Sequence, residues 1–216
     1  MQAPLAHHIL GQTFWLHGHR AIFWEEQKAL ILSDLHFGKT GHFRKAGIAV
    51  PQQVYKEDLQ RFVSLLQYFS PQQVIAVGDL FHSRNNLELD WFRRWRLDFP
   101  HLQFHLVRGN HDILQAQWYT ESEIKLWPEI MRIGPISFAH EWCSNSAQGF
   151  TFCGHIHPGI AFNGAGRQSI KLPCFYFTPT HCILPAFSKF TGLALVHPKK
   201  GDQVFAIAEN TVVPLS

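Results

Sequence analysis

Hydrophobic positions along this chain fall in short unbroken runs, and the residues that follow each run are polar and distinctive. Ala21–Trp24 and Ala29–Leu32 are apolar throughout and are joined by the polar stretch 25–28, a pattern of two strands and a turn. From Pro51 the period lengthens. Val54, Leu59, Phe62, Val63, Leu66 and Phe69 recur at helical spacing, which predicts an amphipathic helix over 51–69 with proline in its first turn. Residues 74–77 predict a buried strand, 87–99 a second helix and 104–107 a further strand. In the second helix Trp91 and Trp95 share a face at i,i+4, while Arg93, Arg94 and Arg96 lie mostly elsewhere.

The second half changes character. Ile130–Ile133, Ile136–Ala139, Phe150–Cys153 and residues 169–172, 174–177, 182–184, 193–196 and 204–208 are short strand-like pieces separated by Gly, Pro and Asn. They predict a meander of antiparallel sheet. Both halves fit one mixed α/β (α+β) domain spanning 1–216, a β-sandwich of two mixed sheets flanked by helices. At 216 residues the chain is long enough for one sizeable core. It shows no repeat, low-complexity tract or clear linker.

Composition narrows the class. The chain is 46% apolar, as expected of a globular rather than a disordered protein. No run approaches the roughly 20 apolar residues that span a bilayer. Residues 1–10 lack a charged n-region and a long apolar stretch, so neither a leader nor a membrane partner is expected, and a cytoplasmic location is. Cys143, Cys153, Cys174 and Cys182 have no CxxC spacing and read as buried thiols rather than a disulfide framework. A net charge of +3 neither demands nor excludes nucleic acid. Fifteen histidines invite a metal reading once their positions are considered.

Those positions are informative. Asp34-Leu35-His36, Gly78-Asp79-Leu80-Phe81-His82, Gly109-Asn110-His111-Asp112, His140 and Gly154-His155-Ile156-His157 follow one another, almost every one just after an apolar run. In open α/β sheets, sites form at the carboxyl ends of strands. Asp34 and His36 are two apart, so both would face one ion if the segment is extended. The glycine before Asp79 lets the chain turn sharply, and a carboxylate has two oxygens with which to bridge two ions about 4 Å apart. Asn110 offers an amide oxygen; His140, His155 and His157 offer imidazoles. Taken singly, Asp34 is a turn residue or helix cap, His140 an ordinary buried histidine and GHxH a weak pattern. Five in this order point to two metals and to phosphoester hydrolysis.

The five motifs resemble those of the calcineurin-like metallophosphoesterase superfamily, whose fold is a β-sandwich flanked by helices. By that resemblance Asp34, His36, Asp79 and His157 would hold one metal, and Asp79, Asn110, His140 and His155 the other, with Asp79 as the bridge. His111 would be the general acid, with Asp112 beside it to orient the ring. A narrower likeness covers Asp34 to Lys39, the stretch from His42 to Ile48, Val50-Pro51, Gly78 to Ser83, Arg108 to Asp112, Leu172-Pro173-Cys174-Phe175 and Leu184-Pro185-Ala186-Phe187. These are similar to the bacterial ligase-associated DNA-damage-response endonuclease branch. One departure is Trp142, where proline is commoner in that branch.

The branch implies manganese-dependent cleavage of nucleic-acid phosphodiesters, DNA or RNA, beside an ATP-dependent DNA ligase, a helicase and a metallo-β-lactamase-type exonuclease. The oxygen and imidazole donor set alone suits Mn²⁺, Fe or Zn²⁺. Lys39 and Arg44, in a basic cluster with His42 and Lys45, are candidates to grip flanking phosphates, as are His82 and Arg84. Trp91, Phe92 and Trp95 have the chemistry to stack bases, but their helical spacing favours core packing. Two other functions compete. One is hydrolysis of a small-molecule diester or monoester, such as a cyclic nucleotide or nucleotide-lipid precursor. The other is an inert scaffold, against which the full set of ligands argues.

Overall fold

The computed structural model describes residues 2–37, 53–82, 87–142, 149–164 and 168–215. The first sheet has seven strands in sequential order: β1 (Leu5–Ile9), β2 (Gln12–His17), β3 (Ala21–Trp24), β4 (Ala29–Leu32), β5 (Gln73–Val77), β6 (Gln103–Val107) and β7 (Ile124–Trp127). β1 to β4 form an antiparallel meander, and β4 to β7 are parallel. Parallel neighbours require crossovers, and three helices supply them. They are α1 (Gln53–Phe69), α2 (Leu87–Leu97) and α3 (Ala116–Glu121).

The four-residue strands β3 and β4 are buried along their whole length because both faces are covered. Alternation then divides their side chains between two cores. Leu30, Leu32, Val74, Ala76, Phe104 and Leu106 face the helices and meet Phe62, Leu65 and Leu66 of α1, Leu89 and Phe92 of α2 and Tyr119 of α3. Ala29, Ile31, Ile75, Val77 and Val107 face the other way, into the gap between the sheets, where they meet Phe138, Phe152, Phe175 and Leu184. Each fully buried side chain of this size contributes about 1.5–3 kcal/mol.

The second sheet contains β8 (Ile130–Ile133), β9 (Ile136–Ala139), β10 (Phe150–Cys153), β11 (Pro158–Asn163), β12 (Ser169–Phe177), β13 (His181–Ile183), β14 (Ala194–Leu195), β15 (Gln203–Ala208) and β16 (Thr211–Leu215). Its path runs β14-β11-β12-β13-β10-β9-β8, with β15 on β12 and β16 on β15. The expected antiparallel meander is corrected here, because β9, β10 and β13 are parallel neighbours, as are β11 and β14. The predicted pieces 169–172 and 174–177 are one strand through Pro173. That proline lies where β12 passes from β11 to β13 and β15, so its missing N–H falls at a change of partner.

The carboxyl ends of β4, β5, β6, β9 and β10 each lead into one of the five motifs. No helix among the described residues is long and apolar enough to cross a membrane.

Candidate metal centre

The loops after β4 and β5 run side by side. Asp34 N–H donates to the Gly78 carbonyl at 3.1 Å, His36 N–H to the Asp79 carbonyl at 2.9 Å, and Phe37 N–H to the Leu80 carbonyl at 2.9 Å. The extended backbone expected between Asp34 and His36 is not what aligns them. Both residues have left-handed φ, 54° and 49°, as do Asp79 (49°), His155 (67°) and His157 (54°). Such conformations cost side-chain-bearing residues about 1–3 kcal/mol each and persist only where the surroundings over-determine them.

Three glycines make the crowding possible. A Cβ on Gly78 would lie 2.0 Å from His140 Nδ1, one on Gly109 2.3 Å from Asp79 Oδ1, and one on Gly154 1.8 Å from Ser33 Oγ. Gly78 also has φ 81°, so the sharp turn read from the sequence is present.

Asp34 is completely buried. Its Oδ2 accepts from Ser33 Oγ at 2.6 Å and from His155 N–H at 3.1 Å, and its Oδ1 stands 3.2 Å from His157 Nε2. Asp79 Oδ1 accepts from His111 N–H at 2.9 Å and lies 3.5 Å from His140 Nε2. His140 Nδ1 is 3.1 Å from the Val77 carbonyl, which turns Nε2 toward the carboxylates.

Donor atoms of Asp34, His36 and His157 lie within 4.8 Å of one another, and so do those of Asp34, Asp79 and His140. The His155 ring stands 5.2 Å from that of His140. Asn110 is exposed on the loop beside His111. The His36 ring is 5.5 Å from both His157 and His111 and 5.4 Å from His82, and His82 is 4.4 Å from His111. Two carboxylates are thus flanked by imidazoles on both sides.

Burial alone would raise the pKa of Asp79. The hydrogen bond and charge of His140 and the His111 N–H overcome it and hold Asp79 well below the usual carboxylate range. Burial opposes charge on His140 as well, yet Asp79, Asp34 and the Val77 carbonyl carry its pKa up to about 9. The centre therefore favours positive charge. Oδ1 of Asp34 and Nε2 of His140 are buried and face an imidazole and a carboxylate respectively, a lining that suits a cation and nothing apolar. The residues present fit divalent metal ions.

Asp112 braces the loop that carries His111. It is buried, and its oxygens accept from Phe81 N–H at 3.1 Å and Gly109 N–H at 2.8 Å. It ties the loop after β6 to the loop after β5 and so fixes His111 through the backbone. Burial, partly offset by those N–H groups, raises its pKa to about 7. His111 itself is exposed at the mouth. Lys39, Arg44 and Arg84 lie outside the described residues, as does Pro51. Ser33 was not singled out in the sequence, although a small hydroxyl residue between an apolar strand and an acid was a visible signal.

A mixed two-sheet sandwich with Asp and His donors converging at its strand ends defines a metal-dependent phosphoesterase. The chain belongs to the calcineurin-like phosphoesterase family, whose model matches residues 27–180. It is similar in structure to nuclease MPE of Pseudomonas putida. The two share 28% identity over 98% of this chain and 100% of that one, with a TM-score of 0.83. Yfce, a phosphoesterase from E. coli, is a looser likeness that carries no weight for the site, at 13% identity, 86% and 96% coverage and a TM-score of 0.44. No curated protein matches.

Proposed function

We propose that this protein is a two-metal phosphodiesterase that cuts nucleic-acid strands, as one domain spanning 1–216. The observation that carries the reading is the full-length likeness to a nuclease, at 28% identity, combined with donor groups around two carboxylates. Asp34, His36, Asp79 and His157 would hold one ion and Asp79, Asn110, His140 and His155 the other, Asp79 being shared. Bound divalent ions, manganese before iron or zinc, supply Lewis acidity toward phosphoryl oxygens and a water acidified toward neutral pH.

The chain's own groups do the rest. His111, exposed at the mouth and held by its N–H on Asp79, gives a proton to the leaving oxygen. Asp112 keeps that loop in place. His82, whose ring lies 4.4 Å from that of His111 and tilted to it, together with Lys39, Arg44 and Arg84, contacts flanking phosphates. Work in DNA repair in the cytoplasm, beside a DNA ligase, helicase and exonuclease, follows from the branch resemblance and belongs to this proposal.

The test is cleavage of a DNA oligonucleotide, single- and double-stranded, in EDTA and then in Mn²⁺, with wild type and Asp79→Asn. Manganese-dependent cleavage by wild type and none by Asp79→Asn is expected. Wild type that leaves every strand intact with metal bound would refute the nuclease reading.

A further inference from the structure

A short strap follows β13, and it provides none of the donors described above. Yet its backbone supports Asp34 directly. Phe187 N–H donates to the Ser33 carbonyl at 2.8 Å, and Ser188 N–H to the Asp34 carbonyl at 3.2 Å. Ser33 and Ala186 form an isolated parallel bridge. On its other side Asp34 is held by its N–H on Gly78. Its left-handed backbone is thus clamped between the loop after β5 and this strap.

The strap is in turn gripped by charged groups from two other elements. Arg20, in the turn between β2 and β3, donates from one guanidinium nitrogen to the carbonyls of Ala186 (3.1 Å) and Ser188 (2.9 Å). Arg61 of α1 donates to the Phe187 carbonyl, and its guanidinium lies 4.3 Å from the centre of the Phe187 ring. Arg61 also pairs with Asp58 at 2.9 Å, both side chains being buried. Asp58 accepts from the Ser188 hydroxyl and the Lys189 N–H and feels the charge of Arg20 as well as Arg61. Carbonyls 186, 187 and 188 all receive a guanidinium N–H. Burying one arginine and one aspartate, with a second arginine half-buried against them, is an expensive way to hold a plain loop, since desolvation opposes every charge. Such an outlay is explained if the loop's placement matters to what it touches.

We infer that Arg20, Asp58 and Arg61 are positioning residues for Asp34, acting through the strap 186–188 to hold its carboxylate where a metal needs it. The inference rests on the reading of Asp34 as a metal ligand. Two ends of the chain separated by more than 120 residues meet here, because the turn after β2, the helix α1 and the strap lie at the same end of the first sheet as the ligand loops.

The structure holds a matched control. Arg96 of α2 also clamps carbonyls, those of Phe99 (2.6 Å) and Leu102 (2.8 Å), and is as buried as Arg61, but it lies in the segment leading into β6, away from the strand ends that carry the site. The experiment is titration of the metal-free, full-length protein with Mn²⁺ by calorimetry, together with amide hydrogen exchange at Ser188, for wild type, R20M, R61M, R96M and D34N. R20M and R61M should bind Mn²⁺ at least tenfold more weakly and exchange Ser188 N–H faster. R96M, although destabilised, should bind within twofold of wild type.

R20M with wild-type affinity overturns the inference, as does R96M weakened as much as R20M at equal loss of Tm. D34N that binds like wild type would remove Asp34 from the ligand set, a failure of the site reading and distinguishable from a failure of the strap. Should R61M not fold, R20M decides, because Arg20 is only partly buried; should that also fail, R20K is read in the same way.

Discussion

Five of the residues read as metal donors occupy a left-handed backbone region that few side-chain-bearing residues adopt, aspartate and histidine more readily than most. At about 1–3 kcal/mol each, the strain is a sizeable fraction of a domain's net stability. It is tolerated because N–H and C=O groups on neighbouring loops leave these residues few alternatives. Which residue types carry chemistry was legible in the sequence, since acids, histidines and an asparagine after apolar runs have few other uses together. How they are held was not. The i,i+2 spacing of Asp34 and His36 suggested extended chain, and the answer is two left-handed residues zipped to the loop beside them. Asp112 was read as a ring-orienting partner; its oxygens also accept from backbone N–H groups, a contact between loops that spacing cannot reveal. His111 is the residue whose role is simplest to separate from binding. It is exposed, and it belongs to neither of the donor groups around Asp34. His111→Gln should lower turnover by about 10²–10⁴ while metal content stays at the wild-type level. A variant that loses its metal instead would make His111 a ligand, and metal analysis beside steady-state kinetics reads both.

Elements were legible where pattern and burial coincide. β3, β4, β9 and β10 have the predicted bounds because each is a mostly apolar run buried along its whole length, and β8 has them although Arg132 is exposed and only Met131 is buried. The strands that escaped have mixed or interrupted patterns. β1 carries His7 and His8, β2 alternates weakly, β7 is four residues with Lys125 inside, β11 begins with Pro158-Gly159, and β16 contains Pro214. Each is stabilised by pairing with a strand distant or adjacent in the chain, which a local pattern does not encode. In α2 the predicted pair Trp91 and Trp95 does not share the buried face. Leu89, Phe92 and Arg96 do, while Trp91 is exposed and Trp95 only packs at the side. Arg96 enters that stripe because the carbonyls of Phe99 and Leu102 receive its guanidinium, a use of arginine that a hydrophobicity pattern scores as surface. The parallel order of β9, β10 and β13 was unreadable for a similar reason: short strands with loops between them look like a meander whether or not a neighbour intervenes.

At the scale of the whole molecule, one face of the first sheet is used for helices and the other for the second sheet, leaving the strand ends free to carry the site. That architecture buries titratable groups near its edge. Burial lowers the pKa of His17 from the ordinary 6.5 to about 4, and that of His19 to about 4 with help from the charges of His17, Arg61 and Lys189. His17 Nδ1 accepts from the His19 N–H at 3.0 Å, so the folded state keeps that ring neutral. Both folded pKa values lie below the unfolded ones. Their stabilisation is therefore complete above pH about 6.5 and is lost as pH falls toward about 4. Chemical denaturation of the metal-free protein should show stability declining across that window, and His17→Asn, whose amide oxygen can accept the same N–H, should flatten the decline. An unchanged slope in His17→Asn would assign the pH dependence to other groups. The central claim concerns the centre itself, and the most direct measurement compares hydrolysis of an activated phosphodiester and a phosphomonoester by the wild-type protein, in EDTA and in Mn²⁺. The account predicts no turnover in EDTA, and in Mn²⁺ a diesterase activity well above the monoesterase activity. Strong monoesterase activity with little diesterase activity, or turnover indifferent to EDTA, would contradict it.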